Sequence, residues 1–598
     1  MSRKKSPINF TSREYDSIRS ELVKHAKRYY PDSFRDFSEA SFGALMLDSV
    51  AYIGDQLSFY LDYQANESFL DTATEYNNII KIARQMGYKF RGRPSSSGEA
   101  TFYILVPANS LGLGPDSRYM PVLKKGSEFV STSGVPFILN EDVRFDDSTN
   151  EVVSGRIDSS TGIPTHYAVR SGGKVISGMI SKETFSIGSE EKFKRIQLAS
   201  PNCVEVLKIH DSAGHEYYEV DYLSQNVIYR EVSNFNEDKE TVPSILRPFV
   251  VPRRFVVETD RNRTYVQFGY GSESELNSPT MAEPSEMVLD LFGKDYDASK
   301  TFDPSKLLGT DKFGIAPADT SITIEYRVAN ARSVNIPVGS LTKVKKGPMS
   351  FSDPTVLIDP TMRDVANSLE VDNKEPILGD VSIPDNVELK RRVMDSFSMQ
   401  NRAVTTQDLE GAVYSMHPKY GAIKRCRIVR DPDSFKRNLN LYVLAEDARG
   451  FLAKATTTLK ENLKIWLGTR KMIHDTIDIL DAKIVNIGIE FSIVTNPEVN
   501  NYDVLQSAIE ILAAKYTNPL YIGEPMYITD IYNTLNHDVS GVVDVKSVKV
   551  TNKTGGKYSR VSFNIEENKS ADGRYIIVPD NVAFEIKYPK IDIKGSVV

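Results

Sequence analysis

The chain has 598 residues, 40% hydrophobic and 26% charged, with 80 acidic against 73 basic side chains and a net charge of −7. A globular composition with a small acidic excess argues against a generally basic nucleic-acid binder, because neutralising phosphates takes concentrated Lys and Arg. Only Cys203 and Cys426 are present, far apart, which excludes a disulfide scaffold and any zinc site built mainly on thiolates. Length predicts about four domains. No apolar h-region follows Met1-Ser2-Arg3-Lys4-Lys5, and no apolar run approaches a membrane span. The expectation is a soluble multidomain protein, folded in a reducing compartment.

Residues 1–93 read as helix. Thr11 and Glu14 have capping-box spacing, Tyr15, Ile18, Leu22 and Ala26 follow at helical period, and Tyr30-Pro31 stops the run. A second helix is predicted from Ser38 to Gln64. Its apolar stripe is Phe42, Leu45, Met46, Ile53, Leu57, Tyr60 and Leu61, with Asp48, Asp55 and Asp62 mostly on other faces. A third carries Ile79, Ile80, Ile82, Ala83 and Met86, with Gly87 as C-cap. So short a segment has little capacity to cover that stripe by itself. Either 1–93 keeps a private three-helix core, or the stripe belongs to a bundle shared with other chains.

Pro94-Ser95-Ser96-Ser97-Gly98 marks a boundary, beyond which the period drops to two. Strands are predicted at 101–106, 128–132, 136–139, 192–198, 204–209, 216–220, 254–258, 265–269 and 321–328. Residues 272–320, rich in Pro, Ser, Asp and Gly, read as a long excursion. We expect a β-rich central domain at 94–350 and a linker at 351–386. Two α+β modules, 387–475 and 476–598, then complete a multidomain α+β fold. In them, helices are predicted at 387–398, 405–415, 452–467, 504–515 and 528–535. Strands are predicted at 423–429, 439–445, 542–550, 558–565 and 582–588, and a long apolar alternation spans 477–494.

Catalysis finds no foothold. The close histidine pair His210 and His215 flanks a Ser-Ala-Gly turn and reads as a hairpin tip. GxSxG and Walker motifs are absent, and Gly269-Tyr270-Gly271 is followed by acids that would oppose a phosphate. Asp431-Pro432-Asp433 is a turn outside EF-hand spacing. A glycan-cleaving carboxylate pair would have to come from distant acids such as Glu258 and Glu325. The strongest local charge signal is basic: residues 387–437 carry eleven bases and six acids. Arg391, Arg392, Lys424, Arg425, Arg427 and Arg430 form either a solvated face or a docking patch for an acidic partner. Nucleic acid is the weaker reading, since RNP-like patterns are missing.

Blocks along the whole chain resemble the baseplate J-like proteins of contractile phage tails. They are Phe42-Gly43-Ala44-Leu45-Met46-Leu47-Asp48, Asn66 to Thr74, Ala83-Arg84-Gln85-Met86-Gly87-Tyr88, Val266 to Gly271, Ile322 to Arg327, Ile522 to Ile528 and Val539 to Val545. Within that family the chain is most similar to the wedge subunits that build the inner baseplate ring of T-even-like phages. It departs from the family at Val328 to Asn335, where a Gly-rich connection is usual, and in the length of 272–320. The resemblance implies a non-enzymatic structural subunit of the virion tail, assembled in the host cytoplasm, with no cofactor or metal. Its implied partners are a second copy of itself, other wedge proteins and a sheath-initiator-like protein, with neither direct nucleic-acid contact nor a membrane span. The bottom-up alternative is a carbohydrate- or receptor-binding tail protein, suggested by 30 Tyr and 27 Phe and weakened by the single Trp466.

Overall fold

The computed structural model describes residues 14–30, 41–90, 92–109, 113–160, 162–234, 244–260, 263–271, 313–329, 333–400, 402–431, 438–472 and 474–598. Thr11, most of the 272–320 excursion and Asp433 lie outside them. The chain divides into two compact units: Met1–Lys89 with Pro384–Phe397, and Phe90–Ile383 with Ser398–Val598. The class is multidomain α+β, helices first and then several sheets with interspersed helices.

The first unit is helical. Helix α1 (Tyr15–Tyr29) closes with Lys27 and Arg28, cations that suit the negative end of its dipole. Helix α2 (Phe42–Glu67) starts at Ser41, whose side chain accepts from the Ala44 amide at 3.1 Å. Its 26 residues make a rod of about 39 Å. Helix α3 (Tyr76–Gln85) buries Ile79, Ile80 and Ala83. Glu67 holds its entry, accepting from the Thr74 amide at 2.7 Å, the Glu75 amide at 3.2 Å and Asn78 Nδ2 at 3.0 Å. Those bonds, Asn78's foremost, hold the Glu67 carboxyl down at about 2. A fourth helix comes from far along the chain: Asn386–Met399, whose Asn386 and Lys390 side chains donate to the Thr74 carbonyl at 2.6 Å and the Asp71 carbonyl at 2.8 Å.

Among the described residues, the second unit has four large apolar cores. The first lies on a sheet ordered Leu341–Lys346, Glu128–Ser131, Pro136–Leu139, Pro164–Ser177, Ser97–Pro107, Glu370–Asp372, and contains Phe102, Phe129 and Phe137. The second sheet runs Met179–Ile187, Thr320–Val328, Cys203–Asp211, Glu216–Glu219, Arg254–Thr259, Thr264–Phe268, Arg195–Gln197, around Ile209, Phe268 and Tyr326. In the third, Asn438–Glu446 pairs antiparallel with Arg425–Arg430 and parallel with Thr476–Asp481, under helices Thr406–Tyr414 and Thr457–Gly468. The fourth centres on Lys483–Thr495, flanked by Val542–Lys553, Val582–Glu585 and Ile593–Val597, and is covered by helices Asn501–Lys515 and Ile528–His537.

The structure corrects several local expectations. The 477–494 alternation is two strands in two sheets, broken at Ala482, which is buried with Leu444, Leu452, Ile522 and Ala583 between the third and fourth cores. Residues 558–565 form no strand. Asn486 Oδ1 takes the Ser559 amide at 2.7 Å and Asn552 donates to the Phe563 carbonyl at 3.2 Å, so side chains do the work of a ladder. The predicted 452–467 helix begins only at Thr457, after the short strand Leu452–Ala453. Strands Glu151–Ile157, Pro164–Ser177 and Met179–Ile187 escape the sequence pattern. The first is exposed throughout, and the second is interrupted by Gly172-Gly173.

Candidate assembly interface

Helix α2 is packed inside out. Only Ala44 and Ala51 are buried along it. Its inward side is small and acidic: α1 lies there, with Arg19 bonded to Asp48 and Ile18 against Gly54, where an added Cβ would sit 3.3 Å from Ile18 Cδ1. The opposite side carries Phe42, Leu45, Met46, Ile53, Leu57, Tyr60 and Leu61, all between 51% and 75% exposed. Val50, Tyr52, Phe59 and Tyr63 widen the arc, and Phe59 stacks on Tyr63 at 6.3 Å. At about 200 Å² per aromatic side chain, Phe42, Tyr52, Phe59 and Tyr60 alone leave on the order of 500 Å² bare. A stable interface needs about 800 Å² per partner. Contiguous apolar surface on this scale marks an interaction site. The 386–399 helix of the same unit adds Val387, Met394 and Phe397, also exposed. Val387 and Met394 stand seven residues apart, a spacing the sequence reading passed over.

The six basic residues do not make one surface. Lys424 is 5% exposed and pairs with Glu446 at 2.9 Å. Arg425 is 2% exposed: its guanidinium donates to the Pro519 carbonyl at 3.0 and 3.2 Å and to the Lys424 carbonyl at 3.0 Å, and lies 4.5 Å over the Tyr521 ring. A docking role for these two is therefore corrected, since their charge is spent inside the chain. Arg392 is bound to Glu388 at 2.5 Å and Arg391 faces Asp395 at 3.8 Å, both one helical turn apart. Arg427 reaches Asp580 at 3.0 Å on the surface, and Arg430 is exposed. Arg391 and Arg392 belong to the helical unit and the other four to the second unit.

The remaining chemical candidates resolve into structure. Asp211, buried, takes the Ala213 amide at 3.0 Å, the His215 amide at 2.8 Å and His215 Nδ1 at 3.0 Å, tying the turn between Cys203–Asp211 and Glu216–Glu219. Glu258 pairs with Arg195 at 2.7 Å and Glu325 with Lys182 at 3.0 Å; their strands are kept apart by two others. Backbone explains Gly269: an added Cβ would lie 2.1 Å from the Phe313 carbonyl. Among the described residues, no group of three or more His, Cys, Asp or Glu is placed to hold a metal, and no helix is long and apolar enough to cross a membrane.

Residues 14–85, from the residue before α1 to the end of α3, match the family described as bacteriophage baseplate protein, N-terminal domain. The match covers the N-terminal helices and marks that segment as similar to the N-terminal domain of phage baseplate proteins. Among solved structures the chain is similar to a chain of the anti-feeding prophage baseplate, seen by cryo-electron microscopy with six-fold symmetry, at 9% identity over 95% of this chain and 90% of that one, TM-score 0.25. It is also similar to a chain of the type VI secretion system TssK-TssF-TssG baseplate subcomplex, at 9% identity over 74% and 96%, TM-score 0.23. Superpositions this loose carry nothing about role. Comparison with curated proteins gives no match.

Proposed function

We propose that this chain is a structural baseplate component of a contractile tail, a non-enzymatic wedge subunit that links neighbouring wedges into the inner ring around the tail tube. It would keep that ring closed through the change that triggers sheath contraction. The observation that carries the reading is the apolar side of α2: a 26-residue helix turns its small and acidic side toward its own chain and its aromatic side outward. A helix that is hydrophobic on the face away from its own unit presents the contiguous apolar surface that marks a site for another chain. The occupants that fit are helices of a second copy or of other wedge proteins, forming a shared bundle. Arg391, on the 386–399 helix of the same unit, is a rim charge in this reading, tuning association rate more than affinity. The test is imaging of intact tails carrying a label on this subunit. Label in a ring about the tube supports the proposal, and label at fibre tips would replace it with receptor binding.

A further inference from the structure

Two stretches that lead out of the second unit, at Phe90 and at Ile383, line one cavity of about 280 Å³ together with Cys203, Thr259 and Arg263. Three residues in from each end, the stretches are tied. Arg93 grips Asp380 with both arms of its guanidinium, Nε to Oδ1 at 3.0 Å and the terminal nitrogen to Oδ2 at 2.8 Å. Asp380 also accepts the Val334 amide at 3.1 Å. Its backbone is bracketed by Asn335, which accepts the Asp380 amide at 3.0 Å and donates to the carbonyls of Asp380 at 2.7 Å and Glu446 at 2.8 Å. Glu446 in turn takes the Ser382 amide at 3.1 Å, the Ser382 hydroxyl at 2.9 Å and Lys424 at 2.9 Å. Asn335, Asp380, Lys424 and Glu446 are all buried.

The backbone closes around this network. Ser95 donates to the Pro418 carbonyl at 3.0 Å, and Ala422 to the Gly379 carbonyl at 2.8 Å. Gly379 and Gly421 have φ of +140° and +93°, and a Cβ on Gly379 would lie 2.7 Å from the Ser95 carbonyl. Only glycine meets both demands. Burial is the largest influence on the Asp380 carboxyl and pushes it above the usual range, against the pull of Arg93, with Glu446 pushing the same way. Two acids that repel in a dry site are tolerable only while both bases are in place.

We propose that Arg93, Asp380, Asn335, Lys424 and Glu446 form a single cooperative lock, fastening both exits to the junction of the first and third sheets so that these parts yield together. This goes beyond the wedge reading and does not depend on it. The test is amide hydrogen exchange on the full chain carrying Arg93→Met. The lock predicts exchange faster by roughly tenfold or more at Val334, Asp380, Ser382 and Ala422, with the Lys483–Thr495 strand unchanged. Ser382 and Ala422 decide the matter, because their acceptors are Glu446 and Gly379, not Asp380. Acceleration confined to Val334 and Asp380 overturns the proposal, since the pair is then merely local. So does no change, and so does uniform acceleration throughout the chain. If Arg93→Met does not fold, Arg93→Lys, which keeps the charge and loses the fork, is read against the same pattern.

Discussion

Helices Phe42–Glu67 and Asn501–Lys515 are built from similar residues and packed in opposite senses. The second buries Val504, Ala508 and Leu512 against the Lys483–Thr495 sheet, as an amphipathic helix of a closed domain does. The first, which contains no Lys or Arg, buries two alanines and leaves its aromatics bare. Hydrophobicity therefore does not distinguish core from interface here. The distinction lies in which side the chain's own neighbours touch: small and acidic residues where α1 arrives, large apolar ones where nothing of the unit's described helices does.

The comparison can be broken by substitutions of graded effect. The largest is expected from Arg425→Glu, which buries a negative charge against the Pro519 carbonyl. It should cost about 3–5 kcal/mol and abolish cooperative folding around the third sheet, seen as loss of the main thermal transition of the full chain. Survival of that transition would mean the pocket opens to water. Next, Leu512→Ala should cost about 2–5 kcal/mol, whereas Leu57→Ala in the free chain should stay within about 0.5 kcal/mol. Equal costs would erase the contrast between the two helices. Arg427→Glu, two residues from Arg425, loses only a surface pair with Asp580 and is worth about 0.2–1 kcal/mol, fading with added salt in a denaturant titration.

The smallest effect sits at Glu67. Its folded carboxyl, held at about 2, is depressed from 4.5, so its contribution is present above pH 4.5 and is lost as pH falls toward 2. Exchange at the Thr74 and Glu75 amides should accelerate across that window. In Glu67→Gln the same amides should lose this pH dependence, beyond the intrinsic chemistry of exchange. A Gln variant that behaves like the parent would show that the carboxylate is not what holds the entry of α3.

Much of the architecture was legible because period and punctuation agreed. The stripe on α2, the Tyr30-Pro31 stop and strands such as Pro136–Leu139 and Thr320–Val328 all follow from local pattern. What escaped lies where tertiary context overrides pattern. The run 477–494 keeps alternating across the break because Ala482 is buried at the seam between two cores while its neighbours Asp481 and Lys483 occupy the polar positions, so the pattern reads as one continuing strand. The basic run at 424–427 looks continuous in sequence, yet the Pro519 carbonyl and the Tyr521 ring cover Arg425 while Arg427, on the same strand face two residues on, stays at the surface. Composition counts charges; it does not say which are already matched. The 386–399 helix joins the N-terminal helices through bonds to the carbonyls of Asp71 and Thr74, about 300 residues away, which no local window registers.

The most direct measurement of the central claim is Leu57→Asp in the full chain, followed at once by thermal unfolding of the free protein and by incorporation into baseplates. If the outward side of α2 is a seam with another chain, the melting temperature is unchanged and incorporation is lost, because an unpaired charge in a packed seam costs several kcal/mol. A lowered melting temperature would show that the stripe is a private core, and normal incorporation would show that nothing covers it.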